Sequence, residues 1–419
     1  MGKHGLTITY LNNRKVYAPG DYVQGAVEVE LKKPKKIKKI KVNAVGESII
    51  KLKTPDGKQL RNQEKYFHFT FDVFAGSDHD IQAGQHRYPF QFQLKQALPT
   101  SFEGNYGHVR YSIKAVVEYP GILSSRDKCL SAFTVLDTVD LNNMPSSRTP
   151  LRIHCEKKAS GMCWWKKGAV TVDIATEKTG YVAGEFIKAN GIIVNGRSRP
   201  IKSLKVELWQ LVTFFGRLKN SAPNSAIITH EMSKAVSTWT MSSAIGGDGA
   251  ENWQNKQLMQ IPPLIPSGLR NCSVIDVQYY LKVVMIVPGG VGGSEISGRS
   301  NYLTIGSVPL MTSPPLRPPP PAVSYSAPQA VATAPPLEFS VEPSAPPPAY
   351  DPGDSAFASV PLPSYEEAVT GGAALVDDDL ETSEINEEDV RTPDTSFTPQ
   401  YAFFDFSQTT TATAPLAVN

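Results

Sequence analysis

Tyr17-Ala18-Pro19-Gly20-Asp21-Tyr22-Val23 returns, without a gap, as Tyr181-Val182-Ala183-Gly184-Glu185-Phe186-Ile187, 164 positions later. The register holds through a polar loop, where Ile37, Ile40 and Val42 fall on Ile201, Leu204 and Val206. A second block recurs at an offset of 168. There Val109, Tyr111, Lys114, Val116, Pro120 and Gly121 meet Val277, Tyr279, Lys282, Val284, Pro288 and Gly289. Two matched blocks indicate one domain built twice, and 419 residues leave room for two domains of about 150 residues plus a remainder.

Apolar residues in both copies follow a period of two. Phe67, Phe69, Phe71 and Val73 alternate with His68, Thr70 and Asp72; Tyr88, Phe90, Phe92 and Leu94 alternate with Pro89, Gln91 and Gln93; Val170, Val172 and Ile174 repeat the pattern. Alternation of this kind makes strands with one face on a core. Pro19-Gly20, Pro55-Asp56-Gly57, Asn195-Gly196 and Pro288-Gly289-Gly290 punctuate them as turns. The expectation is an all-β body of two immunoglobulin-like sandwiches, 1–145 and 161–310, joined by a linker at 146–160 with its hinge between Asn142 and Thr149.

Composition changes after Pro309. Residues 307–419 hold 20 of the 34 prolines, and Arg317 and Arg391 are the only cations there against sixteen Asp and Glu, a net of −14. From totals of 42 cations and 40 acids, residues 1–306 keep 40 cations and 24 acids, a net of +16. A segment so polar and proline-rich cannot bury enough apolar surface to offset chain entropy, so 311–419 reads as a disordered tail. A basic body attracts anionic partners: phospholipid head groups, phosphorylated peptides or nucleic acid. Its densest run is Lys32, Lys33, Lys35, Lys36, Lys38 and Lys39, with Ile37 and Ile40 between. That run reads as a surface loop, as a patch for acidic or phosphorylated cargo or anionic lipid, or as a nuclear localisation signal. It lacks the interleaved aromatics of a nucleic-acid surface. The acidic stretch Asp377 to Asp389 is a candidate to fold back on it.

The tail carries short motifs. Pro347-Pro348-Ala349-Tyr350 is a PPxY sequence, whose prolines pre-set the polyproline II conformation read by WW domains. Leu362-Pro363-Ser364-Tyr365 is a weaker version, with Leu362 where the first proline belongs, and Pro399-Gln400-Tyr401 is weaker still. Pro343-Ser344-Ala345-Pro346 matches the motif bound by the ubiquitin-variant domain of ESCRT-I, and Tyr401-Ala402-Phe403-Phe404 fits a YxxΦ sorting signal.

Catalytic and metal signals are weak. Gly246-Gly247-Asp248-Gly249 and Gly289 to Gly293 lack the Lys-Ser/Thr of a phosphate loop. Cys129, Cys155, Cys163 and Cys272 form no CxxC pair, and His154 with Cys155 and Cys163 lacks a fourth zinc ligand. Neither a cofactor nor enzymatic activity is expected. Cysteine usage suits a reducing, cytoplasmic setting, with only peripheral membrane contact.

With these residues in view, the chain resembles the arrestin-domain-containing proteins, the α-arrestins. The resemblance rests on the Tyr-x-x-Gly-[Asp/Glu] openings at Tyr17 and Tyr181, on Thr100-Ser101-Phe102-Glu103-Gly104 followed by Val109-Arg110-Tyr111, and on Cys163-Trp164. Ile261-Pro262-Pro263, Cys272-Ser273-Val274-Ile275 and the closing Ile305-Gly306 complete it. It implies an adaptor that couples membrane cargo, both receptors and transporters, to WW-domain HECT E3 ubiquitin ligases at the plasma membrane and endosomes. Pro347, Pro348 and Tyr350 would hold the ligase, Pro363 and Tyr365 would give a second grip, and Pro343, Ser344, Ala345 and Pro346 would meet ESCRT-I. The alternatives are a coat-type sorting subunit with arrestin-like sandwiches and an SH3/WW scaffold without ligase coupling.

Overall fold

The computed structural model describes residues 5–54, 56–76, 80–121, 126–158, 168–219, 221–222, 225–287, 294–311, 373–374, 390–391 and 396–406. Residues 1–310 and 363–419 belong to one compact unit; of the second, 311–362, only Met311 is described.

Among the described residues, nine strands build the first domain. They are β1 (Gly5–Tyr10), β2 (Val16–Tyr17), β3 (Tyr22–Leu31), β4 (Lys39–Lys53), β5 (Gln59–Phe74), β6 (Gly84–Gln93), β7 (Phe102–Gly104), β8 (Gly107–Glu118) and β9 (Arg126–Val135). One sheet runs β1-β3-β6 and the other β5-β4-β8-β9-β2, with β7 on β8. The alternation read from the sequence faces inward as expected: Phe67, Phe90 and Phe92 are buried, and His68, Thr70, Asp72, Gln91 and Gln93 are exposed.

The second domain repeats this plan with β10 (Arg152–Lys158), β11 (Ala169–Thr176), β12 (Gly180–Val182), β13 (Phe186–Asn195), β14 (Ser203–Leu218), β15 (Ile228–Thr240), β16 (Gly249–Gln260), β17 (Ile275–Val287) and β18 (Ser294–Gly306). Its sheets run β10-β11-β13-β16 and β15-β14-β17-β18-β12. Residues 152–158, assigned to the linker by the sequence reading, form β10 and pair with β11 from Arg152↔Ala175 to Lys158↔Ala169. Charged residues crowd Arg152-Ile153-His154-Cys155-Glu156-Lys157-Lys158 because β10 is a sheet edge with only Ile153 fully buried, so its apolar signal is thin.

The duplication is visible atom by atom. In the first copy the Ala18 N–H donates to the Asp21 carboxylate (3.0 Å), and in the second the Val182 N–H donates to Glu185 (2.9 Å). Gly20 and Gly184 sit at φ +88° and +95°, the left-handed region that glycine enters without steric cost. Both openings pair in parallel with a later strand, β2 with β9 and β12 with β18. Tyr111 donates its hydroxyl to the Pro99 carbonyl (2.7 Å), and its repeat, Tyr279, donates to the Ile265 carbonyl (2.9 Å).

One sheet crosses the domain junction. The end of β14 pairs with the start of β5, Arg217↔Arg61 and Leu218↔Leu60, so these two sheets fuse into one, which with a short tail strand (Val390–Arg391) on β9 has twelve strands among the described residues. At the hinge, Leu141–Asn143 and Pro145–Arg148 form two short 3-10 turns, the first capped by Asp140. Asn142 donates to the Pro309 carbonyl (2.8 Å) and Val139 to Ser307 Oγ (2.8 Å), which ties the hinge to the last residues of the second domain.

Candidate functional site

The sequence points to the tail, and the described part of the tail lies against the domain junction. Strand β20 (Val390–Arg391), which follows β19 (Ala373–Ala374), pairs in parallel with Lys128 and Cys129 of β9, and β21 (Ser396–Phe397) pairs with β19. Phe397 packs on Leu130 and Ala132, the outward face of β9. The Gln400 N–H donates to Thr134 Oγ1 (3.2 Å), the buried Tyr401 hydroxyl donates to the Ser101 carbonyl (3.0 Å), and the Phe404 N–H donates to the Ala183 carbonyl (3.1 Å). Ser101 and Thr134 belong to the first domain and Ala183 to the second. Residues 400–404 therefore bridge both domains, and Phe404 closes an apolar cluster with Leu141 of the hinge and Val182 of β12.

The body is shaped to accept this segment. An added Cβ on Gly184 would fall 1.9 Å from the Phe404 carbonyl oxygen, so only glycine permits the approach. Thr100 and Ser101 are buried, and their hydroxyls tie down the body's own backbone: Ser101 Oγ accepts from the Val135 N–H (2.9 Å) and Thr100 Oγ1 from the Asp137 N–H (3.0 Å). Next to them Arg110 donates two hydrogen bonds to the buried carboxylate of Glu103, at 2.8 and 2.9 Å. Burial raises the Glu103 carboxyl above its ordinary range despite the opposing Arg110 charge. Beside this pair, burial and then the charges of Arg110 and Lys51 push His108 down to about 3, so it is neutral at physiological pH.

This docking changes the reading of Pro399-Gln400-Tyr401 and Tyr401-Ala402-Phe403-Phe404. Tyr401, Phe403 and Phe404 are all buried, so neither a WW groove nor a sorting receptor reaches them while the segment is seated. Sequence reasoning missed the role. The available signal was four residues with three aromatics inside an otherwise polar tail, and nothing in the sequence names the surface that receives them.

The lysine run divides. Lys32, Lys33, Lys36 and Lys38 are exposed, whereas Lys35 lies 3.4 Å from the Tyr119 ring centroid and Lys39 pairs with Asp72 at 3.0 Å. Pro343 to Pro346, Pro347 to Tyr350, and Pro363 with Tyr365 lie outside the described residues, as does the acidic stretch 377–389. So does Cys163. Among the described residues no group of three His, Cys, Asp or Glu side chains is placed to hold a metal ion, and no helix is long and apolar enough to cross a membrane.

Comparison with known proteins follows the domain division. Residues 6–142 match the domain family described as arrestin (or S-antigen), N-terminal domain, and residues 166–310 match the corresponding C-terminal domain. Arrestin domain-containing protein 1 of Rattus norvegicus is 29% identical over 275 residues, which cover 66% of this chain and 59% of the relative. The Homo sapiens counterpart is 28% identical over 281 residues, 67% of this chain and 61% of the relative. Arrestin domain-containing protein 17 of Caenorhabditis elegans is 27% identical over 299 residues, 66% of each. The match thus spans about three-fifths of the length of the rat and human relatives.

Proposed function

This chain belongs to the arrestin-domain-containing family, the α-arrestins, and we propose that it recruits WW-domain HECT ubiquitin ligases to membrane receptors or transporters. An arrestin-like adaptor role follows from the family; the ligase, the cargo and the endosomal route are our reading. The observation that carries it is Pro347-Pro348-Ala349-Tyr350, a PPxY sequence in an acidic proline-rich tail attached to two arrestin sandwiches of opposite charge. In polyproline II the prolines meet aromatic grooves with little ordering cost, and the tyrosine fills the adjoining pocket.

Pro363 and Tyr365 supply a second contact. Tyr350 and Tyr365 are 15 residues apart, which a flexible chain spans as about 21 Å, within reach of neighbouring WW domains. Engaging both raises avidity by about 10²–10⁴ over one motif. Pro343, Ser344, Ala345 and Pro346 give the same segment an ESCRT-I contact. On the body, exposed Lys32, Lys33, Lys36 and Lys38 favour acidic cargo tails or anionic lipid, each lysine near an anionic leaflet contributing about 1 kcal/mol.

Titration of the full chain with a purified WW domain tests the ligase contact. Saturable binding that Tyr350→Ala weakens and Tyr350→Ala/Tyr365→Ala removes supports it. Equal binding by the variant would transfer the contact to Tyr365 or end the proposal, and Tyr365→Ala tells these apart.

A further inference from the structure

Strand β15 is an outer edge of its sheet: among the described residues it pairs with β14 alone. The pairing is regular from Ile228↔Gly216 to Ala235↔Trp209 and then shifts, because Val236 is an extra residue before Ser237↔Leu208. Past this bulge Trp239 stands edge-on to Trp253 of β16 at 5.4 Å. Residues 228–235, with no proline among them, turn alternate N–H and C=O groups away from the sheet.

A pocket opens beside this edge. Directly opposed residues project to one face, so Gln210 and Val212 of β14 share it with Lys234 and Met232 of β15. Phe102 to Asn105, from β7 and the turn after it, form the facing wall. Tyr106 closes one end, its ring edge-on to Phe214 and His230 at 6.0 Å. The cavity of about 80 Å³ is lined chiefly by Phe102, Val212, Phe214 and Met232. One polar atom at its wall is orphaned. Gln210 is 1% exposed; its Nε2 donates to the Tyr279 hydroxyl (2.9 Å), which donates in turn to the Ile265 carbonyl (2.9 Å). Reversing the amide would set two acceptors against each other, so its orientation is fixed. Gln210 Oε1 is thereby buried without a hydrogen-bond partner, and a buried acceptor in that state favours any donor that reaches it.

We propose that β15 takes an extended segment of a partner protein as an added strand, with one tyrosine or tryptophan of that segment seated in the pocket. Size decides between occupants. Small-molecule sites run to about 300–1,000 Å³, whereas this cavity holds only the end of one side chain. The remaining affinity has to come from the surface alongside, and that surface is an unpaired strand edge, which binds an extended main chain. Tyrosine and tryptophan suit the pocket because each joins an apolar ring to a donor, the one group that Gln210 Oε1 lacks. Met232 and Lys234 stand about 6.8 Å apart on the pocket face, a gap that a flat ring enters. As a grip on cargo this contact deepens the adaptor reading and rests on it.

Random nine-residue peptides displayed on phage would be selected on the full chain and counter-selected on Met232→Arg, which obstructs the pocket mouth. Met232 is exposed, so this variant should unfold at the wild-type midpoint. The expected survivors carry a single tyrosine or tryptophan among β-branched residues and protect the amides of residues 228–235 from hydrogen exchange. Replacing that tyrosine by phenylalanine, which leaves the protein untouched, should weaken binding about tenfold. In Gln210→Leu the two peptides should bind alike, a loss of preference that a merely structural role for Gln210 would not produce. A purified WW domain reads the tail, so its binding should be equal in wild type and Met232→Arg, and failure of either reading leaves the other standing. No enrichment over Met232→Arg overturns the proposal. So does enrichment seen only with Tyr350→Ala/Tyr365→Ala, which assigns the pocket to the chain's own tail. Wild-type self-association that Met232→Arg abolishes also overturns it, by giving the edge to a second copy.

Discussion

The Tyr401 hydroxyl donates to the Ser101 carbonyl at 3.0 Å across 300 residues of sequence, and both residues are buried. A tail residue thus completes the first domain at its junction with the second. Truncating Tyr401 to Ala removes a buried ring as well as the hydrogen bond, a loss of about 3–5 kcal/mol, whereas Tyr401→Phe loses only about 1 kcal/mol. Hydrogen exchange should show residues 396–406 unprotected in Tyr401→Ala, protected in Tyr401→Phe, and the strands of both sandwiches unchanged in each. Equal protection in all three proteins would mean that the ring does not hold the segment.

Gly184 controls the same contact from the other domain. A methyl group there would collide with the Phe404 carbonyl and would occupy φ +95°, where a non-glycine residue is strained by about 1–3 kcal/mol. Gly184→Ala should release the aromatic segment to protease. Gly20→Ala carries the same strain at φ +88°, but its added methyl meets only the Gln96 side chain. It should therefore leave the segment in place.

Acid should weaken the fold through His108. Its folded value is depressed to about 3, against about 6.5 when unfolded. Below about pH 6.5 the unfolded chain takes up a proton that the folded chain refuses, so stability falls with falling pH by up to about 1.4 kcal/mol per unit. Glu103 acts in the opposite sense, because its raised folded value favours the folded state as protons bind. Unfolding midpoints measured from pH 7 to pH 4 should fall less steeply for His108→Gln than for wild type.

The two proline motifs that share Pro346 and Pro347 as neighbours should exclude each other. Pro343 to Tyr350 covers about 25 Å in polyproline II, comparable with one small domain. On a peptide of residues 338–356, a WW domain and an ESCRT-I ubiquitin-variant domain should compete. A stable ternary complex would refute this.

Fold class was legible because two blocks repeat in register and because the period of two survives in long strands such as β5 and β14. β10 was hidden by its edge position, where Arg152, His154, Glu156 and Lys158 face outward and a single apolar residue enters the core. Tyr401 and Phe404 were visible as aromatics, yet their partners Ser101 and Ala183 lie about 300 and 220 residues away, a separation that no local pattern encodes. The same limit hid the pocket at Gln210, which exists only because Phe102 to Asn105 of the first domain lie against β14 and β15. The PPxY sequence needed no fold to be read, since polyproline motifs carry their conformation locally.

The most direct measurement is capture of WW-domain HECT ligases from cell lysate by the intact protein, by Tyr350→Ala and by Tyr350→Ala/Tyr365→Ala. The adaptor account predicts strong capture by the intact protein, reduced capture by the single variant, and none by the double variant. Complete loss in the single variant would assign all ligase binding to Tyr350 and leave the 362–365 motif unused. Absence of any ligase from the intact protein's eluate would contradict the account and leave a coat-type subunit as the better description of these two sandwiches.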